Sequence, residues 1–172
     1  MKTAGDILIV DDESDIRLLI GATLRDEGFT TMEAASAMEA RDLLAAKPPG
    51  LAILDIWMRD SDMDGLELLE WVKSVYPEVP VLMISGHGTV ETAVQAIRNG
   101  AYDFIEKPFK EDRLLLMVQR AFEASRLERE NAELRARVSE ESDPSIIGVS
   151  TQIKAVRTCL LYTSPSPRDS NL

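Results

Sequence analysis

Short apolar runs alternate along this chain with stretches whose apolar residues recur at helical spacing. "DILIV" at residues 6–10 has the length and composition of a strand. Ile16, Leu19, Ile20 and Leu24 then follow the spacing of one helix face, and Gly28 is placed to end it. "FTTME" predicts a weaker second strand. Residues 36–46 predict a helix that stops before Pro48, Pro49 and Gly50, because proline cannot continue a helical ladder. "LAIL" at 51–54 predicts a third strand, and Leu66, Leu69 and Val72 mark the next helix. "VPVLMIS" predicts a fourth strand, and Val90, Ala93, Val94 and Ile97 mark a helix closed by Gly100. "AYDFI" predicts a fifth strand, and a last helix begins near Glu111. Apolar, β-branched strands alternating with helices predict an α/β fold: a parallel sheet covered on both faces. Right-handed crossovers make five such units a doubly wound, five-stranded sheet, here followed by a long C-terminal helix.

Composition narrows what such a fold does. The chain has 172 residues, and 45% of them are hydrophobic, enough for a real core in one domain plus an extension. Its 30 acidic residues outnumber 19 basic ones, for a net charge of -11, which argues against nucleic-acid binding by this stretch. A single cysteine, Cys159, excludes a disulfide framework or thiolate metal cluster and suits a reducing cytoplasm. "ILIV" is too short for a signal peptide and runs straight into acidic residues, and no apolar run reaches the length of a membrane span.

Candidate chemistry collects where strands end. The first predicted strand ends in Asp11 and Asp12, the third in Asp55 and the fourth in Ser85; the fifth runs into Lys107 and Pro108. In open α/β sheets, ligands bind outside the carboxyl ends of the strands, so these residues are expected to share one cleft. Carboxylates about 4 Å apart repel by on the order of 4 kcal/mol at an effective dielectric near 20. A divalent cation offsets that repulsion, and an all-oxygen site with room for waters suits Mg²⁺. Lys107 balances a further negative charge and Ser85 can donate to a phosphoryl oxygen, so the cleft is suited to holding a phosphoryl group on a carboxylate. A rival acidic site lies in "DIWMRDSDMDG". Asp60, Asp62, Asp64 and Gly65 match the first half of a calcium loop. The second half fails, because Trp71 stands where the bidentate Glu belongs. Asp62 or Asp64 is better read as a helix N-cap.

The set "VDDE", "LDIWM", "MISGHG" and "FIEKPF" resembles the receiver domain of bacterial two-component response regulators. The resemblance covers residues 1–122 and implies the flavodoxin-like (CheY-like) fold. It implies that Asp55 is the phosphoacceptor, that Asp11 and Asp12 form the acidic pocket with Asp12 a direct Mg²⁺ ligand, and that the Trp57 carbonyl is a further ligand. It also implies that Ser85 is the switch hydroxyl, that Lys107 pairs with the phosphoryl group across a cis Lys107–Pro108 bond, and that Phe104 is the aromatic switch, where many receivers have Tyr. Arg59 departs from the family, which commonly has Pro there, and the loop to Asp64 and Gly65 is longer than usual. That acidic loop is expected to face water and move. His87, the only histidine, and Trp57 are expected to tune hydrolysis of the phosphoryl group. The loop and "SGHGTVETAVQAIRNGAYDFIEKPFK" resemble the NtrX branch of NtrC-type, σ-54-dependent regulators, which implies nitrogen-related control and a sensor histidine kinase resembling NtrY as partner. Two other readings stand beside this one. A haloacid-dehalogenase-like phosphatase would use Asp55 as nucleophile, but its pattern asks for D-x-D and residue 57 is Trp. A stand-alone receiver would act by protein contact alone.

From Glu111 the helical pattern runs on, and Met117, Ala124, Leu127, Asn131, Leu134 and Val138 fall on heptad a and d positions, which predicts a helical linker over 123–142 that pairs two chains. "SIIGVSTQIKAVRT" within 143–158 resembles the start of the AAA+ domain of NtrC-type activators. No Walker A pattern and no helix-turn-helix follows; residues 159–172, rich in Ser and Pro, are read as a non-native disordered tail. This stretch is therefore expected neither to hydrolyse ATP nor to bind DNA.

Overall fold

The computed structural model describes residues 5–59 and 61–141. Five strands, β1 (Asp6–Val10), β2 (Thr30–Ala34), β3 (Leu51–Asp55), β4 (Val81–Ser85) and β5 (Asp103–Glu106), alternate with five helices, α1 (Ser14–Asp26), α2 (Ala37–Ala46), α3 (Gly65–Val75), α4 (Val90–Arg98) and α5 (Glu111–Glu141). The strands form one sheet in the order β2-β1-β3-β4-β5, and every pairing is parallel. The doubly wound CheY-like sheet and the long last helix expected from the sequence are both present.

The strand pattern decides the layers. Successive side chains point to opposite faces, so Leu8, Val10, Ala52, Leu54, Val81 and Met83 form one core with residues of α2, α3 and α4. Ile7, Ile9, Leu51, Ile53, Leu82 and Ile84 form the other, beneath α1 and α5. All of β3 and β4 is buried, and each such Leu, Ile or Val contributes about 1.5–3 kcal/mol by leaving water. Helix starts are marked by side chains that accept from free backbone N–H groups: Ser36 for α2, Asp64 for α3 and Thr89 for α4. Gly28 and Gly100, with φ of +93° and +106°, turn the chain after α1 and α4, as expected.

Two amphipathic patterns place their residues differently from a simple inward stripe. In α1, Ile20 and Leu24 are buried but Leu18 and Leu19 are exposed. In α4 the apolar positions Val90, Val94 and Ile97 are 81%, 44% and 46% exposed, and the helix buries only Ala96. Their helical spacing is correct. The face that meets the sheet, however, is the one carrying the small residue, and Val94 and Ile97 border a shallow groove with Phe104.

The chain divides into two units between Leu127 and Glu128. In the first, α5 buries Leu114, Met117, Val118 and Ala121, and Phe122 stacks on Phe29 with ring centroids 5.5 Å apart. In the second, α5 continues to Glu141 with exposed side chains through Ser139, Leu134 and Val138 among them. The AAA-like start at 143–158 and the tail at 159–172 lie outside the described residues.

Candidate functional site

A parallel sheet puts all its carboxyl ends on one edge. The register aligns Val10 with Leu54, Asp55 with Ile84, and Ser85 with Glu106. Asp11, Asp12, Asp55, Ser85 and Lys107 therefore arrive at that edge from four different strands. Carboxylate oxygens of Asp11, Asp12 and Asp55 lie within 4.8 Å of one another. Lys107 Nζ donates to Asp11 Oδ2 at 2.8 Å and lies 3.6 Å from Asp55 Oδ2. Asp55, Trp57, Lys107, His87 and Arg59 line an open cleft of about 320 Å³ together with Asp12.

Backbone geometry holds these groups. Asp11 Oδ1 accepts from the Glu13 N–H at 2.9 Å, and Arg17 donates to the Asp11 carbonyl at 2.6 Å. The start of α3 backs onto Asp55: Gly65 N–H donates to the Ile56 carbonyl at 2.9 Å, and a side chain at Gly65 would overlap the Asp55 carbonyl. Ser85 is fully buried and its Oγ accepts from the His87 N–H at 3.2 Å. Phe104 is half-buried and its ring fills the space beside Gly88, joining β5 to the turn before α4. The Lys107–Pro108 bond is cis, as the resemblance implied.

Burial shapes the charge states. It pushes the Asp55 carboxyl up to about 7, assisted by the negative charge of Asp11 and opposed by Lys107. Burial also raises Asp11, against its hydrogen bond from Lys107. For Lys107, burial alone favours the neutral amine, but the bond to Asp11 and the charges of Asp55, Asp11 and Glu13 outweigh it and hold the ammonium above its usual range. Three converging carboxylates with water-sized space beside them suit a hard divalent cation that takes oxygen ligands. Among the described residues, no other group of acids is so arranged.

A family model for the response regulator receiver domain matches residues 7–119. The chain belongs to this family. Over 146 residues this receiver is 52% identical to a putative NtrX-like response regulator of Rickettsia bellii, a match covering 85% of this chain and 30% of that protein. It is 48% identical over 163 residues to the nitrogen assimilation regulatory protein NtrX of Azorhizobium caulinodans, covering 95% of this chain and 35% of that one. The solved receiver domain of NtrX from Brucella abortus is 57% identical and matches with a TM-score of 0.66, over 69% of this chain and 98% of that domain. The chain thus resembles NtrX proteins of the NtrC-type regulators and spans about a third of the length of the curated relatives it matches.

The acidic loop makes contacts that the sequence did not reveal beside the helix cap that it did. Asp62 does not merely face water: it pairs with Arg41 of α2 at 2.7 Å, and Arg41 lies 6.0 Å from the centre of the Trp71 ring. Ser61 Oγ accepts from the Ala37 N–H, and Asp64 caps α3. The Asp62 and Ser61 contacts are to α2, a helix whose nearness no local pattern reveals. Asp60 lies outside the described residues. The sequence reading also missed Glu13, 3.5 Å from Lys107, and the Arg59 N–H, which donates to Asp12 Oδ2 at 2.9 Å. Glu13 could have been found, since it directly follows the acidic pair. That residue 59 has an N–H at all was legible, since proline would lack it, but its partner Asp12, 47 residues away, was not.

Proposed function

We propose that this receiver takes a phosphoryl group onto Asp55 from a partner histidine kinase resembling NtrY, in a Mg²⁺-dependent step, and so switches a σ-54-dependent transcription regulator of the NtrX type in the cytoplasm. The observation that carries this reading is a nearly buried Asp55 carboxylate at a strand end, 3.6 Å from the Lys107 ammonium and clustered with Asp11 and Asp12. In this reading an Asp55 oxygen attacks phosphorus. Lys107 turns from Asp11 toward the oxygens of the arriving group, and the Ser85 hydroxyl donates to another. A bound Mg²⁺ spreads the charge that phosphoryl transfer develops. Asp11, Asp12 and the Trp57 carbonyl, with Asp55, are the oxygens assigned to it. Ser85 and Phe104 relay the change to the α4 and β5 side, which shifts an existing equilibrium. Residues 1–122 form the receiver and 123–142 a pairing linker that brings two chains together, supported by the exposed Leu127, Leu134 and Val138 at heptad positions. We assign no nucleic-acid contact to this stretch. None of its described helices is long and apolar enough to cross a membrane.

Intact mass after incubation with acetyl phosphate and Mg²⁺ tests the reading. One phosphoryl adduct is expected on the wild type, and none on Asp55→Asn or in EDTA. An adduct that persists in Asp55→Asn, or no wild-type adduct with either acetyl phosphate or a phosphorylated kinase, overturns it.

A further inference from the structure

We propose that Arg59 contacts the incoming phosphodonor, holding its phosphoryl dianion at the mouth of the cleft before transfer to Asp55; this rests on the function proposed above. Arg59 lines the cleft with Asp55 and Lys107, is exposed, and makes no ion pair among the described residues. Its backbone is joined to the acidic pocket. The Arg59 N–H donates to Asp12 Oδ2 at 2.9 Å. Just beyond, Ser61 Oγ accepts from the Ala37 N–H at 3.0 Å and Asp62 pairs with Arg41. A guanidinium with no ion pair among the described residues thus stands beside an anion-accepting cleft, its backbone joined to Asp12.

Charge balance gives that guanidinium a task. Asp11, Asp12, Glu13 and Asp55 surround a single ammonium, Lys107. With a divalent cation bound and the Arg17 guanidinium 2.6 Å from the Asp11 carbonyl, the four carboxylates are only just balanced, so an arriving phosphoryl dianion brings negative charge that the cleft leaves uncompensated. Arg59 offsets part of that charge at the entrance through its positive charge, a long-range effect that needs no fixed donor geometry. Proline, common here in the family the sequence resembles, offers neither the charge nor the N–H. During transfer an Asp55 oxygen forms the new P–O bond as the bond from phosphorus to the donor's bridging oxygen breaks. With acetyl phosphate, acetate leaves with that electron pair. Arg59 gives up no proton and no other reactant is consumed.

The test compares wild type, Arg59→Gln and Arg59→Lys on the full chain at saturating Mg²⁺. Adduct formation is followed by intact mass with acetyl phosphate at low and high salt, and adduct decay is followed after donor removal. Arg59→Gln keeps the backbone N–H, so its acidic pocket is unaltered. It is expected to form adduct about three- to tenfold more slowly at low salt, the scale for one exposed charge acting on a dianion. The gap narrows in high salt, Arg59→Lys recovers most of the rate, and decay is unchanged. Equal formation rates in all three proteins overturn the proposal, as does a Lys variant as slow as the Gln variant. Altered decay with unaltered formation also overturns it, since the contact would then be to the phosphorylated product. A wild type that takes up no phosphoryl group fails the receiver function itself, whereas uptake without any Arg59 effect fails only this inference.

Discussion

Two acidic clusters lie within a few residues of each other, and their physics is opposite. Asp62 and Asp64 are ordinary surface acids: one pairs with Arg41 and the other caps α3. Asp55 is buried, crowded by Asp11, and pushed up to about 7. Asp62 and Asp64 have structural partners, and the isolated acid at the strand end is the one to which the proposed function assigns the chemistry. Charge density along a sequence therefore says little until burial and partners are known.

The comparison can be broken most sharply at Asp55. Asp55→Asn is expected to lose the phosphoryl adduct entirely while raising metal-free stability at pH 8, measured by urea unfolding, because it removes a buried charge that Asp11 repels. Next in size is the pH dependence. Between Asp55's ordinary value of 3.8 and about 7 the unfolded chain gives up the proton that the folded domain keeps. Metal-free stability should therefore fall as pH rises through that window and level off above it, by at most about 4 kcal/mol at about 1.4 kcal/mol per pKa unit. Saturating Mg²⁺ should reverse the slope near neutrality, since the cation binds the ionised carboxylates. A flat metal-free profile between pH 4 and 7 would count against the raised carboxyl. Asp64→Ala, which removes the α3 cap, should cost about 1 kcal/mol at any pH above the carboxylate range. Asp62→Ala should cost least, about 0.2–1 kcal/mol, and the loss should shrink in high salt.

Most of the sheet was legible because its signals are local. Strand-length apolar runs, Asp64 at a helix start and glycines at helix ends all act within a few residues. The meeting of Asp11, Asp55, Ser85 and Lys107 was legible too, since parallel strands leave no other place for their ends. The Arg41–Asp62 pair and the Arg59–Asp12 bond were not, because each joins elements distant in sequence. The exposure of Val90, Val94 and Ile97 was hidden for another reason: helical spacing reports that a helix has an apolar face, not that the sheet covers it.

That uncovered face has a consequence for how the domain opens. α3 is anchored by Leu68, Leu69 and Val72, whereas α4 anchors itself with Ala96 alone. Helices with so little buried surface separate from their sheet at low free energy, long before the domain unfolds. Amide protons of α4 should accordingly exchange with deuterium by local opening, at rates insensitive to global stability, while those of α3 wait for the whole sheet to come apart.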